Sequence, residues 1–290
     1  MKKLFNAAIS AIMTIGITLS FASCGSEKMD ISGTKSISDL AGARIAAQSG
    51  TFHEDARTQI PDVKGNLYEK FDQMLVALRS GAIDGYIAEE PTALSVCFKD
   101  DTLSYIHLVN NDTGFTATDA DTALAVGLKK GSDLREKINK VIATISEAQQ
   151  NELMVQMVQA YAGETISSLA VSNEAPSSYN GTLKVAMECE YAPYNWTQRD
   201  SSNGAVPIAS SGYEGLYANG YDVQIAKYIA NALGMKLGIY ASSWGSLIAG
   251  VQAGTYDAII AGMSPTAERA AEIDFTDRYY SSNLVVIYKK

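Results

Sequence analysis

The sequence predicts an α/β protein of two lobes, on three observations. Strand-like and amphipathic helical segments alternate along the chain, one strand and helix unit occurs twice, and 290 residues at 47% hydrophobic content can bury a core around each copy. The repeated unit is "FDQMLVALRSGAIDGYIAEEP" against "WGSLIAGVQAGTYDAIIAGMSP". Phe71, Met74, Leu75 and Leu78 recur at helical spacing in the first copy, and Trp244, Leu247, Ile248 and Val251 in the second, so each is a helix with one buried face. Gly81 and Gly254 stand where a left-handed C-terminal cap is expected, and the strands "IDGYIA" and "YDAIIA" follow.

Upstream of the two helices lie the strands "ARIAAQ" (43–48) and "LKVAME" (183–188). Strands linked by helices in this way predict parallel sheets, which gather ligands at the carboxyl ends of their strands. Those ends are "QSGTF", "AEEP", "MECEYAPYNW" and "AGMSPTAER". If the lobes face each other, all four line one cleft. The last ten residues, "SSNLVVIYKK", have the branched and aromatic content of a strand in the middle of a sheet, although they stand at the end of the chain.

A net charge of −9 and a pI of about 4.8, without a Lys/Arg-rich run, exclude nucleic acid as the partner. Lys2 and Lys3 precede an apolar run from Leu4 to Ala22, the layout of a secretory signal peptide over residues 1–23. In "SFASCGS", Cys24 resembles the lipidated cysteine of a bacterial lipobox, with residues 24–35 as the tether; a plain signal peptide or an uncut anchor is the alternative. Cys97 and Cys189 either pair in an oxidising compartment or serve as small buried hydrophobes. No metal-ligand spacing occurs and no cofactor is implied. His53 and His107 stand alone and are expected to be structural or surface residues.

"SPTAER" has the most chemistry. Ser264 is expected as an N-cap, Pro265 as the first helical residue, and Arg269 close by; free amides and a guanidinium together can hold a carboxylate. Alternatively, it is a capped surface helix whose arginine pairs with Glu272 or Asp274. Glu89, at the matching strand end of the other lobe, could receive an ammonium group, or Glu89 and Glu90 could be solvated charges before Pro91.

"GYDVQIAKYIANALG", "SLIAGVQAGTYDAIIAGMSPTAERAAEIDFTDRYYSSNLVVIYKK", "LAGARIAAQSGT" and "TDADTALAVGLKKGSDLREKINKVIATIS" resemble the extracytoplasmic solute-binding proteins of polar amino acid ABC transporters. The resemblance implies the two-lobed periplasmic-binding-protein fold, each lobe a sheet flanked by helices, joined by two crossing strands. It also implies a circularly permuted order, because the family runs a segment like "YYSSNLVVIYKK" on into one like "SISDLAGARIAAQSGT", which here comes first. Residues 36–118 then form the usual second lobe, 119–165 and 181–290 the other lobe with the hinge strands, and 166–180 the linker that closes the permutation.

Position by position, the resemblance assigns Arg269 and Ser264 to the ligand α-carboxylate, and the Gly262 carbonyl and Glu89 to the α-ammonium. Thr51 belongs to the loop that closes on the carboxylate, with Gln48 at the end of the preceding strand also lining the site. Tyr191 and Trp244 flank the ligand side chain, for which core packing is the alternative. Glu188 matches an acidic position that meets a cationic side chain in basic-amino-acid binders. Gly245 departs from the acidic residue common after the tryptophan, and Phe52 from a usual small residue.

The implied function is binding of a polar or basic amino acid outside the membrane and delivery to an ABC transporter permease by a lipid-anchored monomer, without chemistry. Two other readings share the fold. One is an exported dehydratase acting on prephenate or arogenate, with Glu89, Glu90 and Glu188 as acid/base groups. The other is an amino acid receptor lipoprotein.

Overall fold

The computed structural model describes residues 28–290. The expected leader over 1–23 and the lipidated Cys24 fall outside them. Lobe I opens with β1 (Ile45–Gln48), α1 (Phe52–Thr58), β2 (Leu67–Tyr68), α2 (Phe71–Ser80), β3 (Gly85–Glu89), α3 (Glu90–Lys99) and β4 (Leu103–His107). The short α4 (Asp119–Thr122) leads into β5 (Ala123–Leu128), α5 (Leu134–Ile142) and α6 (Glu147–Tyr161), and no regular element then occurs before β6 (Thr182–Met187).

Four small strands follow, β7 (Glu190–Tyr191), β8 (Asn195–Gln198), β9 (Val206–Pro207) and β10 (Tyr217–Asn219), forming a sheet of their own in the order β7-β8-β10-β9. Lobe II is completed by α7 (Tyr221–Ala232), β11 (Lys236–Ala241), α8 (Leu247–Gln252), β12 (Ala258–Ile259), α9 (Ala267–Glu272) and β13 (Asp274–Ser281). The chain then returns to lobe I as β14 (Leu284–Lys289).

The two large sheets have the orders β2-β1-β3-β14-β4 and β11-β6-β12-β5-β13. The last strand in the sequence is therefore internal to the first sheet, as its apolar run anticipates. The all-parallel expectation fails at the crossings. β14 is antiparallel to β3 and β4, and β5 is antiparallel to β12 and β13. Each of these strands enters at the cleft edge, where the parallel strands end, and so runs the opposite way.

The amphipathic helices bury most of the residues their spacing selects, with Leu75 and Ile248 only partly buried. Phe71, Met74 and Leu78 of α2 are buried, as are Leu247 and Val251 of α8, while Trp244 sits in a separate 3-10 turn and turns toward the cleft. Gly81 caps α2 in the left-handed conformation at φ 77°. A second difference lies at α9, whose N-cap is Thr266, its hydroxyl accepting from the Arg269 amide, rather than Ser264. Cys97 and Cys189 are free thiols.

One buried ion pair sets the start of both parallel strands that carry lobe I's site residues. Asp84, only 2% exposed, accepts from the Arg44 backbone and side chain and from the Met29 amide. Burial alone would raise the Asp84 carboxyl, but these hydrogen bonds outweigh it and hold its pKa below the usual value. Asp84→Ala, which strands Arg44, is expected to cost about 3 kcal/mol by urea denaturation at pH 7. Because the folded-state pKa is depressed, wild-type stability is full above the unfolded pKa and falls on acidification. The difference between wild type and variant should therefore shrink between pH 5 and pH 3.

Candidate functional site

The four strand ends meet in one cleft, and the lobes touch across it. The Gly50 carbonyl, just past β1, accepts from the Trp244 indole N–H and from Arg269 Nη2, each at 3.0 Å. Gln48 Nε2 donates to Glu188 Oε1 at 3.2 Å, and Lys70 pairs with Glu190 at 2.7 Å. Phe71 of lobe I stacks on Tyr191 of lobe II with ring centres 4.1 Å apart. The cleft is therefore closed.

Two adjoining cavities lie along it, sharing Trp244 and Arg269 in their walls. The inner one, about 20 Å³, is lined by Gln48, Thr51, Glu89, Tyr191, Gly262 and Ser264 among others, and has room for about one water. The outer one, about 610 Å³, carries Glu188 together with Lys70, Glu69, Glu190 and Tyr213. All nine residues selected from the sequence thus line one or the other.

Local structure explains how each is presented. Thr51 caps α1, accepting from the His53 amide and donating to the Gln48 carbonyl, which locks the turn after β1. Arg269 projects from the first turn of α9, and its Nη1 donates to the Ser264 carbonyl at 2.9 Å. Its guanidinium lies 5.0 Å from the Trp244 ring centre. The alternative pairing with Glu272 or Asp274 does not occur; Asp274 pairs with Lys130 instead. Ser264 donates its hydroxyl to the Asp121 carbonyl at 2.8 Å.

Gly262 has φ 63°, which strains any other residue, and a Cβ there would come within 3.2 Å of the Tyr191 ring, so both the backbone and the packing favour glycine. Behind it, buried Asp222 accepts from the Tyr279 hydroxyl and from Asn195 Nδ2, each at 2.8 Å. Burial pushes the Asp222 carboxyl up to about 6, against the lowering effect of those two donors. The Gly262 amide also lowers it, which couples the strand end to this network.

Sequence reasoning expected His53 to be a structural or surface residue and gave it no place in the cleft, whereas it lines the inner cavity. It is not a surface residue: its side chain is 7% exposed, with Nε2 3.1 Å from Glu89 Oε1. The other histidine, His107, meets Glu90 at the surface. Among the described residues Glu89 Oε2 and the Tyr191 hydroxyl are buried without a hydrogen-bond partner. Asp121 and Phe52 also line the inner cavity. A polar residue two positions after the threonine that caps α1 was the available signal for His53.

Burial raises Glu188 to about 7, with Glu190 adding to the rise while Gln48 and Lys70 oppose it. A carboxyl whose folded-state pKa lies above its unfolded one binds more protons when folded, so stability falls as pH climbs from about 4.5 to 7. Its slope is at most about 1.4 kcal/mol per pH unit. Asp222 acts in the same direction in every variant that keeps it. Glu188→Gln is therefore expected to lose less stability than wild type between pH 5 and pH 7.5, measured by urea midpoints.

Residues 183–290 match the family model described as bacterial extracellular solute-binding proteins, family 3. The chain is 26% identical over 119 residues to the arginine-binding extracellular protein ArtP of Bacillus subtilis (strain 168), covering 41% of this chain and 40% of that protein. It is 28% identical over 110 residues to the L-cystine-binding protein TcyA of the same strain, covering 38% and 35%. The chain thus matches less than half the length of these curated relatives. Among solved structures, the L-cystine solute receptor of Neisseria gonorrhoeae in its unliganded open conformation is 27% identical, with 31% of this chain and 32% of that one covered at a TM-score of 0.24. Residues 183–290, which carry Gly262, Ser264 and Arg269, are thus the part of the chain that is similar to the bacterial extracellular solute-binding proteins, family 3.

Proposed function

We propose that the protein binds a free polar or basic amino acid outside the cell membrane and delivers it to an ABC transporter permease by closing its cleft, without chemistry. The observation that carries this reading is a pair of incompletely satisfied charges on opposite lobes of one closed cavity. Arg269 has no carboxylate partner among the described residues, and burial lowers its pKa. Glu89 has one oxygen without any partner. A zwitterion supplies the complement to both.

In this reading the ligand carboxylate replaces the Gly50 carbonyl on Arg269, turning a neutral acceptor into a charged one, and Thr51 and Ser264 stand beside it. The ammonium meets Glu89 and the Gly262 carbonyl. The ligand side chain extends past Trp244 and Tyr191 into the outer cavity, where Glu188 and Gln48 favour a polar or cationic end. That the curated relatives bind arginine and L-cystine supports the amino acid class. The order of the lobes is a circular permutation with 166–180 as its closing linker, and Cys24 carries the lipid that tethers the protein.

The test is thermal unfolding of the chain from Gly25 onward against the twenty common L-amino acids. A ligand at a hundredfold excess over its Kd should stabilise the protein by about 2.7 kcal/mol. Arg269→Ala is expected to weaken the best ligand at least about a hundredfold by isothermal titration while the cooperative melt is kept. A folded wild type that no amino acid stabilises, or a folded Arg269→Ala that binds as tightly as wild type, sinks the assignment.

A further inference from the structure

We propose that His53 is a positioning residue that gives the cleft its preference for ligands bearing an ammonium group, by holding Glu89 in place with one oxygen free. The proposal rests on the amino acid reading above and adds a residue to it. His53 follows the α1 cap, and its ring is fixed on two sides. Nε2 lies 3.1 Å from Glu89 Oε1, and Phe71 meets the ring edge-on with centres 5.7 Å apart. Phe71 in turn stacks on Tyr191 of the other lobe.

The hydrogen-bond inventory defines what this pair does. His53 Nδ1 is buried without a partner, so the imidazole places a proton on Nε2, where the single bond to Glu89 is made. That contact engages Glu89 Oε1 at 3.1 Å, from one side of the carboxylate. Oε2 is left as an acceptor with no partner in the protein, and Glu89 lines the inner cavity together with Gly262 and Arg269. Glu89 makes no other side-chain hydrogen bond among the described residues. Without that partner the buried carboxylate has two unsatisfied oxygens and nothing to hold it toward an ammonium.

His107 and Glu90, one residue along from Glu89, provide an internal comparison. They form the same kind of pair at 3.3 Å, but with side chains 44% and 30% exposed, and neither lines the inner cavity. If a histidine and glutamate pair only steadied the start of α3, the two should behave alike. If His53 acts on the ligand, only its loss should change what the cleft prefers.

The experiment uses the amino acid with the highest wild-type affinity among the twenty, and the carboxylic acid made by removing its α-amino group. Both are titrated calorimetrically into wild type, His53→Leu, His53→Gln and His107→Leu. Gln can put an N–H where Nε2 stands, whereas Leu fills the space without a donor. His53→Leu is expected to weaken the amino acid at least about tenfold and to cut its preference over the deaminated acid by a similar factor. His53→Gln should recover to within about threefold, and His107→Leu should match wild type.

Equal binding by wild type and folded His53→Leu, an equal loss for both ligands, or a Gln variant as weak as Leu overturns the proposal. If the deaminated acid is too weak to titrate, the contrast between Leu and Gln decides. If His53→Leu does not melt cooperatively, His53→Asn, too short to reach Glu89, takes its place with the same expectation. A wild type that binds no amino acid defeats the underlying reading, whereas binding without dependence on His53 defeats this proposal alone.

Discussion

Each lobe is completed by a strand that the other delivers. β14 is hydrogen-bonded on both edges inside lobe I, yet it follows β13 of lobe II after only Ser282 and Asn283. β5 lies between β12 and β13 of lobe II, yet it is reached from lobe I through α4. Neither sheet can close its hydrogen-bond ladder until the chain has crossed, so the lobes are tied by backbone pairing rather than by a flexible linker. Two short crossings also restrict relative motion to rotation about them, the geometry of hinge closure. That restriction brings one carbonyl, Gly50, opposite both Trp244 and Arg269.

The price of this arrangement is borne by charges that their own lobes leave incompletely satisfied. Arg269 is drawn from water and finds only carbonyls, from Ser264 and Gly50. Glu89 finds one imidazole, and Glu188 one amide from Gln48 across the cleft. Buried polar groups are ordinarily fully bonded, so several deficits lining one cavity mark a place where something else supplies the partners. The deficits also have a sense: cationic on lobe II at Arg269 and anionic on lobe I at Glu89, both lining the inner cavity. Glu188 lies further out, beside the larger cavity.

The parts of this site that were legible in the sequence are those fixed by short-range rules. The spacing of Phe71, Met74 and Leu78, the cap at Gly81 and the strand ends after Gln48, Glu89, Glu188 and Gly262 are set within a few residues, and they place the cleft. What could not be read depends on contacts between distant segments. Nothing near His53 announces that Glu89 will stand 3.1 Å away, and nothing near Tyr191 announces that Phe71 will cover its face. The antiparallel entry of β5 and β14 escaped for the same reason, since strand direction is decided by which lobe the chain comes from. Ser264 shows a finer failure: two hydroxyls flank Pro265, and the helix selects Thr266, freeing Ser264 to reach Asp121.

The closed cleft constrains how a ligand can act. A ligand shifts an equilibrium between open and closed forms only by its difference in affinity for the two. Here the closed form already holds the hydrogen bonds from Trp244 and Arg269 to Gly50, the Lys70 and Glu190 pair and the Phe71 stack, so part of the stabilisation of closure precedes the ligand. The inner cavity of about 20 Å³ is too small for an amino acid, so the proposed binding requires that some of these contacts be displaced. The contact from Arg269 to Gly50 is the one whose replacement gains most, since a carboxylate offers the guanidinium an opposite charge and two parallel acceptors where a carbonyl offers one neutral oxygen. Trp244 can keep its own bond to Gly50 while that exchange takes place. The lobes would then stay joined through the indole as the guanidinium changes partner.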